Sequence, residues 1–195
     1  TVTKTVTISR GASVAISVLI SSAGNVTTME VPTISTIGET KTATLQFSAQ
    51  ILDQYGDVVA DAAITEWKIS GNANAEINNQ GLLTIDNQAL SKPGANSGTL
   101  TVTAVYGGIT SNKITITVSK EPSAASFLEI LKGSTVIATD TIVIPGAENV
   151  TETYTARVYD QYGSVMDGYS GISWSLDGDT PAGVLVNGAG STCTV

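Results

Sequence analysis

Apolar and polar residues alternate with a period of two along most of the chain, the pattern of a strand with one face buried. Thr1 to Ile8 alternates Thr with Val, Lys and Ile. Thr42 to Leu52 sets Ala43, Leu45, Phe47, Ala49 and Ile51 on one face. Thr99 to Tyr106 does the same with Leu100, Val102, Ala104 and Tyr106, and Lys113 to Val118 with Ile114, Ile116 and Val118. Turn-forming clusters lie between them: Ser70-Gly71-Asn72, Asn78-Asn79-Gln80-Gly81, Lys92-Pro93-Gly94 and Gly107-Gly108. Many short strands at this spacing predict an all-β sandwich or barrel rather than a parallel sheet with crossover helices.

One phrase occurs twice. Phe47-Ser-Ala-Gln-Ile-Leu-Asp-Gln-Tyr-Gly56 returns as Tyr154-Thr-Ala-Arg-Val-Tyr-Asp-Gln-Tyr-Gly163, an offset of 107 residues. Trp67 and Trp174, Gly71 and Gly178, and Gly81 and Gly188 share that offset. A period of about 100 residues belongs to an immunoglobulin-like sandwich, not to a short solenoid repeat. By the same offset Val195 answers to residue 88, so the second copy holds no counterpart of Thr99–Tyr106 or Lys113–Val118. Thr5-Val-Thr-Ile-Ser-Arg10 is similar to Thr115-Ile-Thr-Val-Ser-Lys120. The expected organisation is therefore a closing strand of a preceding domain over 1–10, a complete sandwich over 11–119, and a second sandwich over 121–195 without its last strands. The alternative for residues 1–10 is an extra N-terminal strand of the first sandwich. The junction Ser119-Lys-Glu-Pro-Ser123 is short and carries a proline, which restricts hinge freedom.

Composition agrees and narrows the chemistry. Of 195 residues, 28 are Thr and 20 Ser, while only 13% are charged against about 25% in ordinary soluble domains. Thr and Val favour the pleated surface of a sheet, and good helix formers are scarce. A formal charge of −8 argues against nucleic acid or anionic membrane as a partner, and no run of about 18 apolar residues is present to insert in a bilayer. With no histidine there is no imidazole base, Ser-His-Asp triad or histidine-ligated zinc. A lone cysteine, Cys193, forms no internal disulfide and reads as a small buried hydrophobe.

The candidate metal ligands are aspartates. Asp53, Asp57 and Asp61 recur at four-residue intervals around a turn, with Asp160, Asp167, Asp177 and Asp179 in the second copy. A loop with several Asp supplies the oxygen ligands calcium requires, which makes Asp53, Asp57, Asp61 and Asp160 candidates for a structural calcium. Against this stands a hairpin turn in which Asp bonds the local backbone and Gly takes positive φ; Asp57 becomes Ser164 in the second copy. No other cofactor is expected. Trp67 and Trp174 read as core anchors on a central strand, with a sugar-stacking platform as the alternative. Tyr55 and Tyr162 sit beside turn residues, where partial exposure would suit contact with a partner; packing over the end of the domain is the simpler alternative. Lys41, Lys68 and Lys113 lie on strands, where a Lys–Asn isopeptide crosslink would need a buried lysine. Asn25-Val-Thr27 and Asn149-Val-Thr151 are formal glycosylation sequons.

The strand ending in Asp-Gln-Tyr-Gly, the following Ile-Thr-Glu-Trp67-Lys-Ile or Ile-Ser-Trp174-Ser-Leu, the Gly81-Leu-Leu-Thr-Ile segment and Gly98-Thr-Leu-Thr-Val-Thr-Ala104 together resemble bacterial Ig-like domains of group 2, the invasin and intimin type. The likeness spans nearly the whole chain and is greatest to the repeats of Gram-positive surface-layer (S-layer) proteins. It implies tandem immunoglobulin-like β-sandwiches in a secreted protein of the bacterial cell surface, with no enzymatic activity. The implied partners are neighbouring Ig-like domains and other copies of the parent protein, with cell-wall attachment by regions outside this chain. Domains of this kind also serve as spacers or stalks of adhesins and secreted carbohydrate-active enzymes. A carbohydrate-binding module is the remaining reading, disfavoured by an aromatic content of 5%.

Overall fold

The computed structural model describes residues 4–92, 95–143, 149–177 and 183–195. The protein is all-β, apart from a single 3₁₀ turn at Ala23–Asn25 among the described residues. It forms two compact units, one made of Thr1–Val31 with Thr42–Lys120 and the other of Pro32–Lys41 with Glu121–Val195. The stretch Pro32–Lys41, inside the sandwich expected over 11–119, thus groups with the later residues.

The first unit contains two sheets. One is a four-stranded antiparallel sheet of β1 (Ala15–Ser22), β3 (Thr42–Asp53), β6 (Leu82–Asp86) and β5 (Glu76–Ile77), in that order. The other runs β2 (Thr28–Glu30), β9 (Ile114–Ser119), β7 (Ser97–Tyr106) and β4 (Glu66–Gly71), with β8 (Ile109–Thr110) on β7. In the second sheet β2 joins β9 in parallel, Met29 opposite Val118. Alternation does what the sequence requires of it: Phe47, Leu83, Ile85, Leu100, Val102, Ala104, Ile116 and Val118 are each at most 1% exposed, and they come from both sheets. Fully burying a large apolar side chain of this kind contributes about 1.5–3 kcal/mol. A polar staple also crosses between the sheets. The Asn112 carboxamide accepts from the Ile20 N–H at 2.8 Å and donates to the Ile20 carbonyl at 3.3 Å.

The second unit has one five-stranded sheet in the order β11 (Thr135–Ile137), β10 (Ala125–Lys132), β12 (Thr153–Asp160), β14 (Thr192–Thr194) and β13 (Asn187–Ala189). The β10–β12–β14–β13 series reproduces β1–β3–β6–β5, and Tyr154, Ala156, Val158 and Cys193 are buried on one face of it, with Leu131 buried on the other. β11 has no counterpart in the first sheet. Gly133, with φ of 64°, makes the two-residue turn that folds it back on β10.

The expected strand over residues 1–10 does not form where it can be described. Lys4–Val14 lies in no strand, and Val6 and Ile8 are 81% and 92% exposed. Alternation gives a segment a face to bury, but a strand also needs a partner for its backbone groups, and Lys4–Val14 pairs in no ladder. The expected turn at Lys92-Pro93-Gly94 falls partly, and Gly178 and Asp179 wholly, outside the described residues.

Candidate functional site

The repeated Asp-Gln-Tyr-Gly phrase builds the same device twice. Asp53 ends β3, and Asp160 ends β12. One Asp53 oxygen, Oδ1, accepts from the N–H groups of Tyr55 and Asp57, both at 2.9 Å. In the second copy Asp160 Oδ1 accepts from Tyr162 at 3.0 Å and Ser164 at 2.8 Å. The other oxygen reaches back to the start of the unit, where it accepts the hydroxyl of Ser13 or of Ser123, each at 2.7 Å. The glutamine that follows closes on the residues flanking that serine. Gln54 Oε1 accepts from Val14 N–H and its Nε2 donates to the Ala12 carbonyl, both at 2.7 Å. Gln161 repeats this with Ala124 N–H at 2.8 Å and the Pro122 carbonyl at 3.0 Å. A primary amide has the donor and acceptor of a backbone peptide, so each glutamine adds one rung to the ladder beyond the point where the main chain turns away.

Main-chain geometry is copied as closely. Gly56 and Gly163 both have φ of 83°, which a residue with a Cβ adopts only under strain. Both ladders slip by a bulge at the matching place, between Ala15 and Ser17 and between Ala125 and Phe127. Asp53 and Asp160 are 5% and 2% exposed. The Ser13 hydroxyl, followed by the N–H groups of Tyr55 and Asp57 and by Arg10, holds the Asp53 carboxyl below the ordinary range, against the opposing effect of burial.

These contacts decide where the proposed calcium ligands stand. Asp53 and Asp160 are occupied by hydrogen bonds, Asp57 is exposed and ion-paired with Arg10, and Asp61 is exposed with φ of 59°. The structure does not bring the four together. Among the described residues, no group of three or more Asp, Glu or Cys is placed to hold a metal ion.

Tyrosine is the phrase's variable member. Tyr55 is 41% exposed, accepts the Gly11 N–H at 3.0 Å, and lies under the Arg10 guanidinium at 4.8 Å from its ring centre. Tyr162 is only 2% exposed, the packed one of the two arrangements open to it; its hydroxyl donates to the Glu121 carbonyl at 3.4 Å.

Both tryptophans are half-buried on glycines. A Cβ on Gly81 would stand 2.8 Å from the Trp67 ring, and one on Gly188 would stand 2.6 Å from the Trp174 ring. Trp67 also meets Phe47 at 6.1 Å between ring centres. The Trp174 indole N–H donates to the Gly190 carbonyl at 3.0 Å. Beside Trp174 lies an apolar groove of about 310 Å³. Its walls include Ile130, Ile142, Tyr154, Leu176, Val186 and Cys193. Burial pushes the Cys193 thiol pKa up, the direction of an unreactive thiol.

A polar cluster that no sequence motif announces sits at the edge of that groove. Lys132 Nζ lies 2.9 Å from Asp140 Oδ2 and 3.1 Å from Glu152 Oε2, and the Tyr154 hydroxyl donates to Asp140 at 2.8 Å. Lys132, then Tyr154, holds the Asp140 carboxyl below its ordinary range, while the two carboxylates raise the lysine. Amide formation between such groups needs a neutral amine and a protonated acid, so these directions favour an ion cluster. Of the lysines considered for a crosslink, Lys41 pairs with Glu39 at 2.9 Å and Lys68 with Glu66 at 3.0 Å. Lys68 and Lys113 are exposed and Lys41 is half-buried.

The fold and this duplicated latch define an all-β protein built by tandem repetition, with its best-organised polar contacts directed at its own chain. No family model matches the sequence, and no curated protein matches it either. Among the described residues no helix is long and apolar enough to cross a membrane.

Proposed function

We propose that the chain is a structural stretch of a secreted bacterial surface-layer protein, in which tandem immunoglobulin-like sandwiches self-associate over the cell surface. The observation that carries this reading is the latch: two successive units each commit a buried aspartate and a glutamine to fixing the segment that leads into their first strand. Such a device fixes, within each unit, the segment by which the chain enters the first strand, which an architectural array needs and a ligand site does not. The interlocked Asp, Gln and Ser also resist extension, because several hydrogen bonds must open together. Thr- and Ser-rich strands with few charges supply faces that pack against other copies at less desolvation cost than charged faces would.

Negative-stain electron microscopy of the full-length parent protein tests the reading. Ordered two-dimensional sheets are the expected result. Isolated beaded rods would assign the chain instead to the stalk of an adhesin or of a secreted carbohydrate-active enzyme, for which the latch serves equally well. The carbohydrate-binding reading gains nothing from tryptophans half-buried over glycines, where a sugar-stacking platform needs an open ring face.

A further inference from the structure

The first unit shows how the surface around its repeated tryptophan is covered. β4, which carries Trp67, pairs along its length with β7, and β2 pairs with β9. The corresponding stretches of the second unit have no such cover among the described residues. Ser173–Leu176, 107 residues beyond Glu66–Ile69 of β4, lies in no strand. Thr141-Ile-Val-Ile-Pro145 resembles Thr28-Met-Glu-Val-Pro32, with Thr and Pro identical at an offset of 113, yet Thr141–Val143 also lies in no strand, with Val143 75% exposed. Ile142 and Leu176, from these two stretches, both line the apolar groove. Trp174 is already seated there, held by Gly188 below and by its bond to Gly190.

We propose that this groove is the seat of an antiparallel pair of strands of the β7–β9 type, one laddering onto Ser173–Leu176 and the other onto Thr141–Val143. The chemistry of the occupant follows from the first unit. Its inward positions are apolar at every second residue, as Leu100, Val102 and Ala104 are in β7 and Ile116 and Val118 in β9. The residue opposite Trp174 is small, because Ala104 is the register partner of Trp67 and is wholly buried. The backbone of Ser173–Leu176 and Thr141–Val143, which joins no ladder among the described residues, supplies the hydrogen bonds, and the groove supplies the apolar area. The inference concerns how one unit is completed, so it holds for a surface layer and a stalk alike.

The test uses the whole 195-residue chain with a copy of its own Ala89–Ser119 appended after Val195, compared with the unextended chain. Hydrogen exchange is read on peptides covering Ser173–Leu176 and Thr141–Val143, with the rate of Cys193 alkylation as a second measure. The expected result is exchange slowed by ~10-fold or more in both peptides, with slower alkylation. A copy whose position equivalent to Ala104 is changed to Leu should lose much of that protection, since the side chain would meet the Trp174 ring. Unchanged exchange in both peptides would overturn the proposal. So would protection of the same peptides in the unextended chain together with a dimeric mass by light scattering, because a second copy would then fill the groove.

Discussion

The Ser123 hydroxyl donates to the Asp160 carboxylate at 2.7 Å, and Ser13 makes the same bond to Asp53 at the same distance. Thirty-seven residues separate the partners in one copy and forty in the other, and the glutamine clamp beside them keeps the same geometry. A short phrase with each residue committed to a separate bond explains why the phrase recurs intact while the surrounding strands change.

Replacing the latch aspartate should therefore be costly. Asp160→Ala leaves the Ser123 hydroxyl and the N–H groups of Tyr162 and Ser164 without their acceptor, at an expected loss of about 2–4 kcal/mol. Urea denaturation checks this. A loss below about 0.5 kcal/mol, the range of an ordinary surface change, would show that the latch is ornamental.

The glutamine has a more local effect. Gln54→Leu removes both bonds to the segment Ala12–Val14 and should speed hydrogen exchange at Val14, with little change at Leu100 or Val102 in the core. Uniformly faster exchange would instead indicate that the clamp supports the whole unit.

Glycine is required under both tryptophans, for different reasons. Gly81 has φ of 78° and a Cβ there would also stand 2.8 Å from the Phe47 carbonyl, so Gly81→Ala combines backbone strain with a clash. At Gly188 the atoms nearest an added Cβ all belong to the Trp174 side chain, which borders the groove and has room to shift. The expected order is a loss of about 2 kcal/mol or more for Gly81→Ala and less for Gly188→Ala, with Trp near-ultraviolet dichroism altered in both. Equal losses would contradict this account of Trp174.

Acid stability should reflect Asp53 and Asp140. Both carboxyls are held below their ordinary range in the folded state, Asp53 chiefly by Ser13 and Asp140 chiefly by Lys132. A depressed pKa adds stability that is complete above the unfolded value of about 4 and is lost as pH falls through the folded value. The melting temperature should thus fall below about pH 4, and Asp140→Asn should reduce that fall while lowering stability near neutrality. Lys132 acts in the opposite sense. Its raised pKa adds stability that is present below about pH 10 and disappears only in stronger alkali.

Calcium should be dispensable for these turns. With Asp53 and Asp160 occupied by hydrogen bonds and Asp57 paired with Arg10, chelation should leave the melting temperature of the chain unchanged. A rise of several degrees on adding millimolar calcium would identify a binding site and reverse this conclusion.

Local pattern alone determined much of this protein. The strands Thr42–Asp53, Ser97–Tyr106 and Ile114–Ser119 were legible because period-two alternation marks a face for burial, and the Asp-Gln-Tyr-Gly turn was legible because Asp and Gly have fixed roles in tight turns. The 107-residue offset likewise located both tryptophans and the glycines beneath them. Only the tertiary structure decided what depends on partners distant in sequence. Lys4–Arg10 alternates as well as any strand but pairs with none, and Ser13 and Ser123 carry no mark that sets them apart from the other serines. Tyr55 and Tyr162 occupy identical phrases, yet one is exposed and the other buried. Lys132, Asp140, Glu152 and Tyr154 converge although no motif links them. Alternation and turn chemistry act between neighbours in the chain, whereas pairing, burial and ion clusters are set by which segments meet in space.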